Sequence, residues 1–185
     1  ARFAPYGNGF TNETAYKYYR VVITGIDQAN ANSYQFAEVD FYSTGTPPGT
    51  PGTLPGAPGT LPLENAIAET LVEPIGIIPF GNFNAPQKHM DPYRAIDNNK
   101  NTKMLNFAKE GNGFTVTFGK AVVVNEIEFT TANDDYGRDP TGVEIWGSNQ
   151  SPPSTFSKIA NVPLTRPRAR FAPYGNGFTN ETAYK

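Results

Sequence analysis

Residues 113–130 read GFTVTFGKAVVVNEIEFT, and this stretch decides the fold class. Phe114, Val116 and Phe118 alternate with threonines, so an extended chain places these three large side chains on one face. A glycine and a lysine follow, and the run 121–130 is rich in β-branched residues before it alternates apolar residues with glutamates. The two runs predict β-strands that are joined by a turn.

Similar patterns occur on both sides of this stretch, separated by groups of Gly, Asn and Asp that are typical of turns. The four further strands that we predict are Tyr18–Ile26, Ser33–Tyr42, Val143–Trp146 and Thr155–Ala160. Residues 63–71 have the spacing of a short amphipathic helix instead. Many short strands at this spacing predict an all-β protein, an antiparallel sandwich.

The composition excludes several classes of function. The 185 residues include 18 Gly and 17 Pro, which disfavours a helical bundle. A net charge of −2 without a Lys/Arg cluster argues against nucleic acid as a partner. There is no apolar run of about 18 residues, so we expect no membrane insertion. With no Cys and one His, disulfides, thiolate metal sites and most nucleophilic catalysis are excluded.

Carboxylate pairs are the remaining catalytic option. Glu126 with Glu128, or Asp134 with Asp139, could in principle cleave a glycosidic bond. The two glutamates, however, lie two residues apart opposite apolar neighbours, which is typical of a solvated sheet face. We therefore expect that the protein is not an enzyme.

The chain repeats part of its own sequence. Residues 1–17 and 169–185 both read ARFAPYGNGFTNETAYK, an offset of 168 residues. A match of this length indicates a stretch slightly longer than one period of a tandem array. A duplicated tag sequence is the alternative.

Residues 44–62 contain six prolines and five glycines and no charged residue. This composition predicts an extended polyproline-II linker, because Pro removes hydrogen-bond donors and Gly raises the chain entropy. Fully extended, the linker would span about 60 Å. The predicted organisation is therefore the last strands of one repeat in 1–43, a linker in 44–62, and most of the next repeat in 63–185.

Four segments resemble one known family. They are RAIDNNKNTKMLNF (94–107), FTTANDDYGRDPTGVEIWGSN (129–149), YKYYRVVITG (16–25) and FAEVDFY (36–42). In rotated order they resemble discoidin, or galactose-binding-like, domains, a family that includes many carbohydrate-binding modules. The resemblance implies an antiparallel jelly-roll β-sandwich whose two termini emerge close together.

The resemblance also implies a structural calcium ion between the loop 97–102 and the last strand. The implied ligands are the side chains of Asp97, Asn99, Thr102 and Glu38 and the carbonyl oxygens of Arg94 and Ala37. Asn98 stands where the family has Gly, and Asn tolerates a left-handed backbone. Met104 stands where the family has Trp. The alternative is an Asx-rich turn that is satisfied by its own backbone.

A glycan site is a second candidate, because sugar recognition needs aromatic rings beside planar hydrogen-bonding groups. The loop residues with these properties are His89, Tyr93, Arg94, Tyr136, Arg138 and Asp139. A simpler interpretation is a local Arg138–Asp139 ion pair and a histidine on the surface.

Modification sites form a third group. Asn12 and Asn180 begin copies of the sequon N-E-T, and Asn149 begins a third sequon that Pro152 weakens. The linker threonines Thr46, Thr50, Thr53 and Thr60 resemble an O-glycosylated stalk.

The order of the repeat predicts how copies assemble. In repeat order the domain runs from residue 63 to 185 and ends with the equivalent of 18–43. We therefore expect its sheets to be completed by strands from a neighbouring copy, which favours head-to-tail assembly. The predicted function is a structural module of an extracellular filament or cell-surface adhesin. The alternative is a multivalent carbohydrate-binding module.

Overall fold

The computed structural model describes residues 14–43 and 70–177, and their regular structure is almost entirely β. Short 3₁₀ turns cover Lys88–Met90, Pro92–Ala95 and Tyr136–Arg138. The strands are β1 (Tyr16–Ile26), β2 (Tyr34–Phe36), β3 (Glu38–Ser43), β4 (Thr70–Leu71), β5 (Gly76–Phe80), β6 (Met104–Asn106), β7 (Gly113–Val122), β8 (Glu126–Thr130), β9 (Pro140–Ser148), β10 (Ser157–Pro163) and β11 (Pro173–Gly177). The all-β prediction is confirmed.

Two large sheets form the sandwich. One has the strand order β10-β9-β1-β7-β5 and the other has the order β11-β8-β3-β4. Strands β2 and β6 form a small separate ribbon. The described strand pairs are all antiparallel, as the spacing of short strands predicts.

The core lies between the two large sheets, and the stretch 113–130 supplies much of it. Phe114, Val116 and Phe118 are fully buried on the inner face of β7, as predicted. The Phe118 ring lies edge-on to Tyr19 of its own sheet at 5.8 Å and to Phe41 of the opposite sheet at 5.7 Å. Each such side chain contributes about 1.5–3 kcal/mol by leaving water, so this layer holds the two sheets together.

The run 121–130 forms two strands rather than one. The chain leaves β7 after Val122 and enters β8 at Glu126, which moves it from one sheet to the other. The Tyr19 hydroxyl stabilises this crossing, since it donates to the Val122 carbonyl at 2.8 Å and accepts from the Val124 N–H at 3.0 Å. The crossing depends on a tyrosine about a hundred residues away, so the local pattern does not show it.

The predicted strand Ser33–Tyr42 is also divided, at Ala37. The N–H of Ala37 donates to the Thr130 carbonyl at 2.8 Å. The chain therefore passes from the β2–β6 ribbon into the four-stranded sheet at Ala37. Of the stretch 63–71, in which a helix was predicted, only residues 70 and 71 are described, and they form β4. Strands β5, β6 and β11 were not predicted.

Strands β1–β3 pair within their own chain. In β1, Val21 lies opposite Phe114 of β7 and Ile145 of β9. In β3, Val39 lies opposite Phe129 of β8. In this structure the single chain therefore supplies β1 and β3 to its own two large sheets. Ser43 at the end of β3 lies opposite Thr70 at the start of β4, so the two described residues that flank 44–69 are paired in one sheet.

Candidate functional site

The loop 97–102 folds around the side chain of Asp97. The Thr102 hydroxyl lies 2.9 Å from both carboxylate oxygens, and the N–H of Asn99 donates to Oδ1 at 3.0 Å. Burial alone would raise the pKa of Asp97, but the hydrogen bonds that it accepts outweigh burial and lower the pKa. Asn98 has a φ of 56°, a left-handed backbone that Asn tolerates.

Glu38 reaches this loop from the start of β3. Its Oε1 accepts a 2.7 Å hydrogen bond from the N–H of Asn99. Burial, together with the neighbouring carboxyls of Asp97 and Asp40, raises the pKa of Glu38 to about 7. The fold therefore places two acidic groups side by side that are far apart in the sequence.

The other two predicted ligands lie beside this pair. Ala37 precedes Glu38 and is fully buried. Arg94, predicted to use its carbonyl oxygen, also pairs its guanidinium with the Asp97 carboxylate at 3.2 Å. Met104 is fully buried in β6 opposite Phe36.

The oxygen donors fit a hard cation. Carboxylate and hydroxyl oxygens of Asp97, Thr102 and Glu38 come together here, and such oxygens are ligands that calcium prefers. The side-chain oxygen of Asn99, a predicted ligand, instead accepts a hydrogen bond from the Asn101 N–H at 3.2 Å. Within residues 14–43 and 70–177, no group of three or more His, Cys, Asp or Glu residues could hold a metal. A calcium ion at this position would therefore need neutral oxygens as well as the two carboxylates.

Two further acidic residues line the cleft beside Glu38. They are Asp40, on the same outer face of β3, and Glu73, which follows β4. Burial and the negative charge of Glu73 raise the pKa of Asp40. Neither residue was predicted from the sequence, although the alternation of Glu38 and Asp40 along a strand indicates one acidic face.

The predicted sugar-binding residues lie in two separate turns. His89 and Tyr93 belong to the segment 88–95, where the Tyr93 ring is 60% exposed. Tyr136, 48% exposed, belongs to the turn 136–138 and stacks on the Arg166 guanidinium at 5.0 Å. Each turn thus offers an accessible aromatic ring.

The predicted Arg138–Asp139 ion pair is wrong. Arg138 pairs with Asp135 at 2.9 Å instead. Asp139 is fully buried and accepts two hydrogen bonds from the Arg170 guanidinium, one of them at 3.0 Å. Arg138 and Asp139 do not pair with each other, because a strand begins directly after Asp139 and its carboxylate points inward. Asp139 is therefore not accessible to a sugar.

Of the predicted modification sites, only Asn149 lies within the described residues. Asn12, Asn180, Thr46, Thr50, Thr53 and Thr60 all lie outside them. The Asn149 side chain donates to the Ala15 carbonyl at 2.9 Å and accepts from the Lys17 N–H at 2.8 Å. This amide therefore fixes the start of β1.

The carboxylate pairs that were considered for glycoside cleavage have structural contacts. Glu126 and Glu128 are half-buried on the outer face of β8, where the Tyr42 hydroxyl donates to Glu128 at 3.4 Å. Asp134 is paired with Lys103 at 2.7 Å, and Asp139 is buried as described above.

The outer face of the five-stranded sheet carries a cluster that was not predicted from the sequence. The Arg20 guanidinium lies between the rings of Phe80 and Phe156, at 4.0 and 3.8 Å from their centroids. Trp146 lies opposite Arg20 in the register of β9. Burial lowers the pKa of Arg20, as expected for a cation covered on both sides. The cluster closes over the sheet and stabilises that face.

Comparisons with protein-family models, with curated proteins and with solved structures found no match to this chain. Across the described parts of the chain, no helix has the length and apolar character needed to cross a membrane.

Proposed function

We propose that this chain is a structural repeat module of an extracellular filament or adhesin, whose copies join head to tail by strand complementation. The observation that carries the proposal is the position of residues 16–43. These strands enter both sheets, yet the 26 residues 44–69 separate them from the rest of the sandwich. The repeated sequence at residues 1–17 and 169–185 supports a tandem arrangement.

The paired positions of Ser43 and Thr70 favour exchange between copies. A hairpin at this point would need only a few residues, and the longer connection costs about 1–2 kcal/mol more to close. The same sheets form whether 16–43 comes from the same chain or from another, so exchange requires no new interface. In dilute solution residues 16–43 enter the sheets of their own chain, because other copies are far away. In a tandem array the neighbouring repeat is held at an effective concentration of about millimolar, which favours exchange.

Calcium stabilises this module in our proposal. The ion binds between the loop 97–102 and Glu38, and so links the loop to the edge of the four-stranded sheet. The support is the convergence of Asp97 and Thr102 with Glu38, which leaves two adjacent carboxyls that a divalent cation would neutralise.

The proposal is tested by refolding the chain at increasing concentrations. Light scattering after size-exclusion chromatography should show oligomers that grow with concentration, and electron microscopy should show regular filaments. The matched control is Ser43→Cys/Thr70→Cys, which joins β3 to the β4 of its own chain. The chain has no other cysteine, so this disulfide is unambiguous. The oxidised monomer should not assemble, and reduction should restore assembly.

Two results contradict the proposal. The first is a wild-type chain that stays monomeric after refolding at every concentration. The second is an oxidised control that assembles as readily as the reduced one, because assembly would then not involve exchange of β1–β3.

A multivalent glycan-binding module is the second candidate. The ring of Tyr136 favours it, because the ring is 48% exposed and has the Arg166 guanidinium 5.0 Å from its centroid, which places an aromatic face beside a planar hydrogen-bond donor. A glycan array is the test: binding that is lost in Tyr136→Ala supports the module, and absence of binding by the wild-type chain excludes it.

A further inference from the structure

The edge strand β11 is held by a specific set of contacts, which we call the edge slot: strand β8, Thr131 and Asp139. The residues 173–177 pair with β8 along its whole length. Thr131 forms two hydrogen bonds with the residues just before the strand. Its hydroxyl donates to the Ala169 carbonyl and accepts from the Ala172 N–H, both at 3.0 Å.

An arginine anchors the same segment. The Arg170 guanidinium forms two hydrogen bonds with the buried carboxylate of Asp139 and a third with the Asp134 carbonyl at 2.9 Å. The Asp139 carboxylate in turn raises the pKa of Arg170. A paired arginine and buried carboxylate give geometric specificity as well as energy, because both partners are planar. The edge slot therefore requires an arginine at this position.

The edge slot also selects two other residues of the segment. Tyr174 is buried and its ring lies 6.0 Å from that of Phe129. A Cβ atom at position 175 would fall on the carbonyl oxygen of Ile127, so only glycine fits there. The slot thus recognises the pattern R-x-x-x-Y-G by charge, by burial and by close backbone approach.

The chain carries this pattern twice. Residues 1–9 read ARFAPYGNG, letter for letter the same as residues 169–177. Every residue that contacts the edge slot therefore has an identical counterpart near the N-terminus, including Arg2 for Arg170 and Gly7 for Gly175. The described fold has one edge slot for these two segments.

The connection to β1 is long enough for the first copy to enter the slot. Gly177 lies opposite Glu126 of β8 and Tyr16 lies opposite Val122 of β7, so β11 ends at the end of the sandwich where β1 begins. With Gly9 in the place of Gly177, six residues remain before Tyr16. Six residues reach about 20 Å, and packed sheets are about 10 Å apart.

We infer that the edge slot is an exchange site whose second occupant is Ala1–Gly9 of the same chain, which replaces Ala169–Gly177. The replacement releases the C-terminal copy and leaves the sandwich closed. This inference does not depend on the exchange of β1–β3 between copies, because it involves different strands and a different edge of the fold.

Disulfide trapping tests the inference, since the chain contains no cysteine. Position 173 lies opposite Thr130, so Thr130→Cys/Pro173→Cys reports the occupant seen in the structure. Thr130→Cys/Pro5→Cys reports the proposed one. Adding Arg170→Ala to the second pair should speed its cross-link by about tenfold or more, because the competing segment loses its charged hydrogen bonds. Adding Arg2→Ala instead should slow it.

Non-reducing gel electrophoresis separates cross-linked monomer from dimer, and the rates of disulfide formation are compared between variants. A cross-linked monomer whose rate follows the two arginines supports the inference. It is overturned if the Pro5 pair stays reduced while the Pro173 pair oxidises, or if both arginine substitutions give the same rate. A product that is entirely dimeric overturns the assignment to the same chain. Circular dichroism of each reduced variant shows whether it is folded before oxidation.

Discussion

Strands β1 and β11 are both candidates for exchange, but they are held in opposite ways. Strand β1 lies between β7 and β9, and its inward side chains Tyr19, Val21 and Ile23 are fully buried. Strand β11 has β8 as its described neighbour and is anchored by backbone hydrogen bonds, by the ion pair of Arg170 with Asp139 and by the single buried ring of Tyr174. One strand is part of the core, and the other is attached to its edge.

The difference sets the cost of moving each strand. Removing β1 opens the layer between the sheets, so its exchange requires global unfolding. Removing β11 breaks contacts along one edge, including the packing of Tyr174 on Phe129, but leaves the pairing of β1 with β7 and β9 in place, which is a local opening. We therefore expect exchange of β1–β3 only during folding, and exchange at the edge slot in the folded protein.

The largest effect should come from the core strand. Tyr19→Ala removes a buried ring and the hydroxyl that supports the crossing from β7 to β8, and should lower the free energy of unfolding by about 3–5 kcal/mol. Urea unfolding followed by Trp146 fluorescence measures it. Thr24→Ala, on an exposed position of the same strand, is the control and should stay within about 0.5 kcal/mol. Equal losses in both variants would contradict the assignment of β1 to the core.

A smaller and non-additive effect should come from the edge. Gly7→Ala/Gly175→Ala places a Cβ against the Ile127 carbonyl in either copy, and should cost about 1–3 kcal/mol. Each single substitution should cost less than about 0.5 kcal/mol, because the other copy fills the edge slot. Hydrogen exchange should show lost protection in β8 and retained protection in β1. Additive single losses would contradict the redundancy of the two copies.

The contrast between the strands also explains what the sequence could predict. The inward residues of β7 and β8 alternate with outward ones, so the period of two in the sequence identifies them, and they are buried in the structure. The turn in the loop 97–102 could be recognised from its Asp and Asn residues, because Asx-rich turns are determined locally. The meeting of this loop with Glu38 came from the family resemblance and is present in the fold.

Strand β11 could not be predicted in this way. The segment APYGNG has no apolar alternation, and its strand conformation depends on distant partners such as Thr131 and Asp139. The pairing of Arg138 was wrong for a related reason, since proximity in sequence does not reveal which carboxylate turns inward. Contacts that depend on one distant side chain leave little trace in local patterns.

Calcium should raise the free energy of unfolding by a small to intermediate amount, through the loop 97–102 and Glu38. At ten times its dissociation constant, calcium should stabilise the protein by about 1.4 kcal/mol, seen as a rise in melting temperature that EDTA reverses. Asp97→Asn should abolish the rise. Asp135→Asn, which alters a carboxylate in another turn, should leave it unchanged. Identical melting curves with calcium and with EDTA would exclude the ion.

The smallest effect should come from Arg138→Ala. Its ion pair with Asp135 is partly exposed to solvent, so the free energy of unfolding should fall by less than about 1 kcal/mol. A loss above 2 kcal/mol would show that the turn 136–138 supports the edge slot, and the comparison between core and edge would need revision.

Complementation between two damaged chains tests the central claim most directly. Val21→Asp puts a charge into β1, and Val116→Asp puts one into β7, both at fully buried positions, so each chain alone should be unfolded. Refolded together, the second chain can supply its intact β1–β3 to the intact body of the first. Strand complementation predicts a folded heterodimer by native mass spectrometry and circular dichroism. A mixture as unfolded as either chain alone would contradict it.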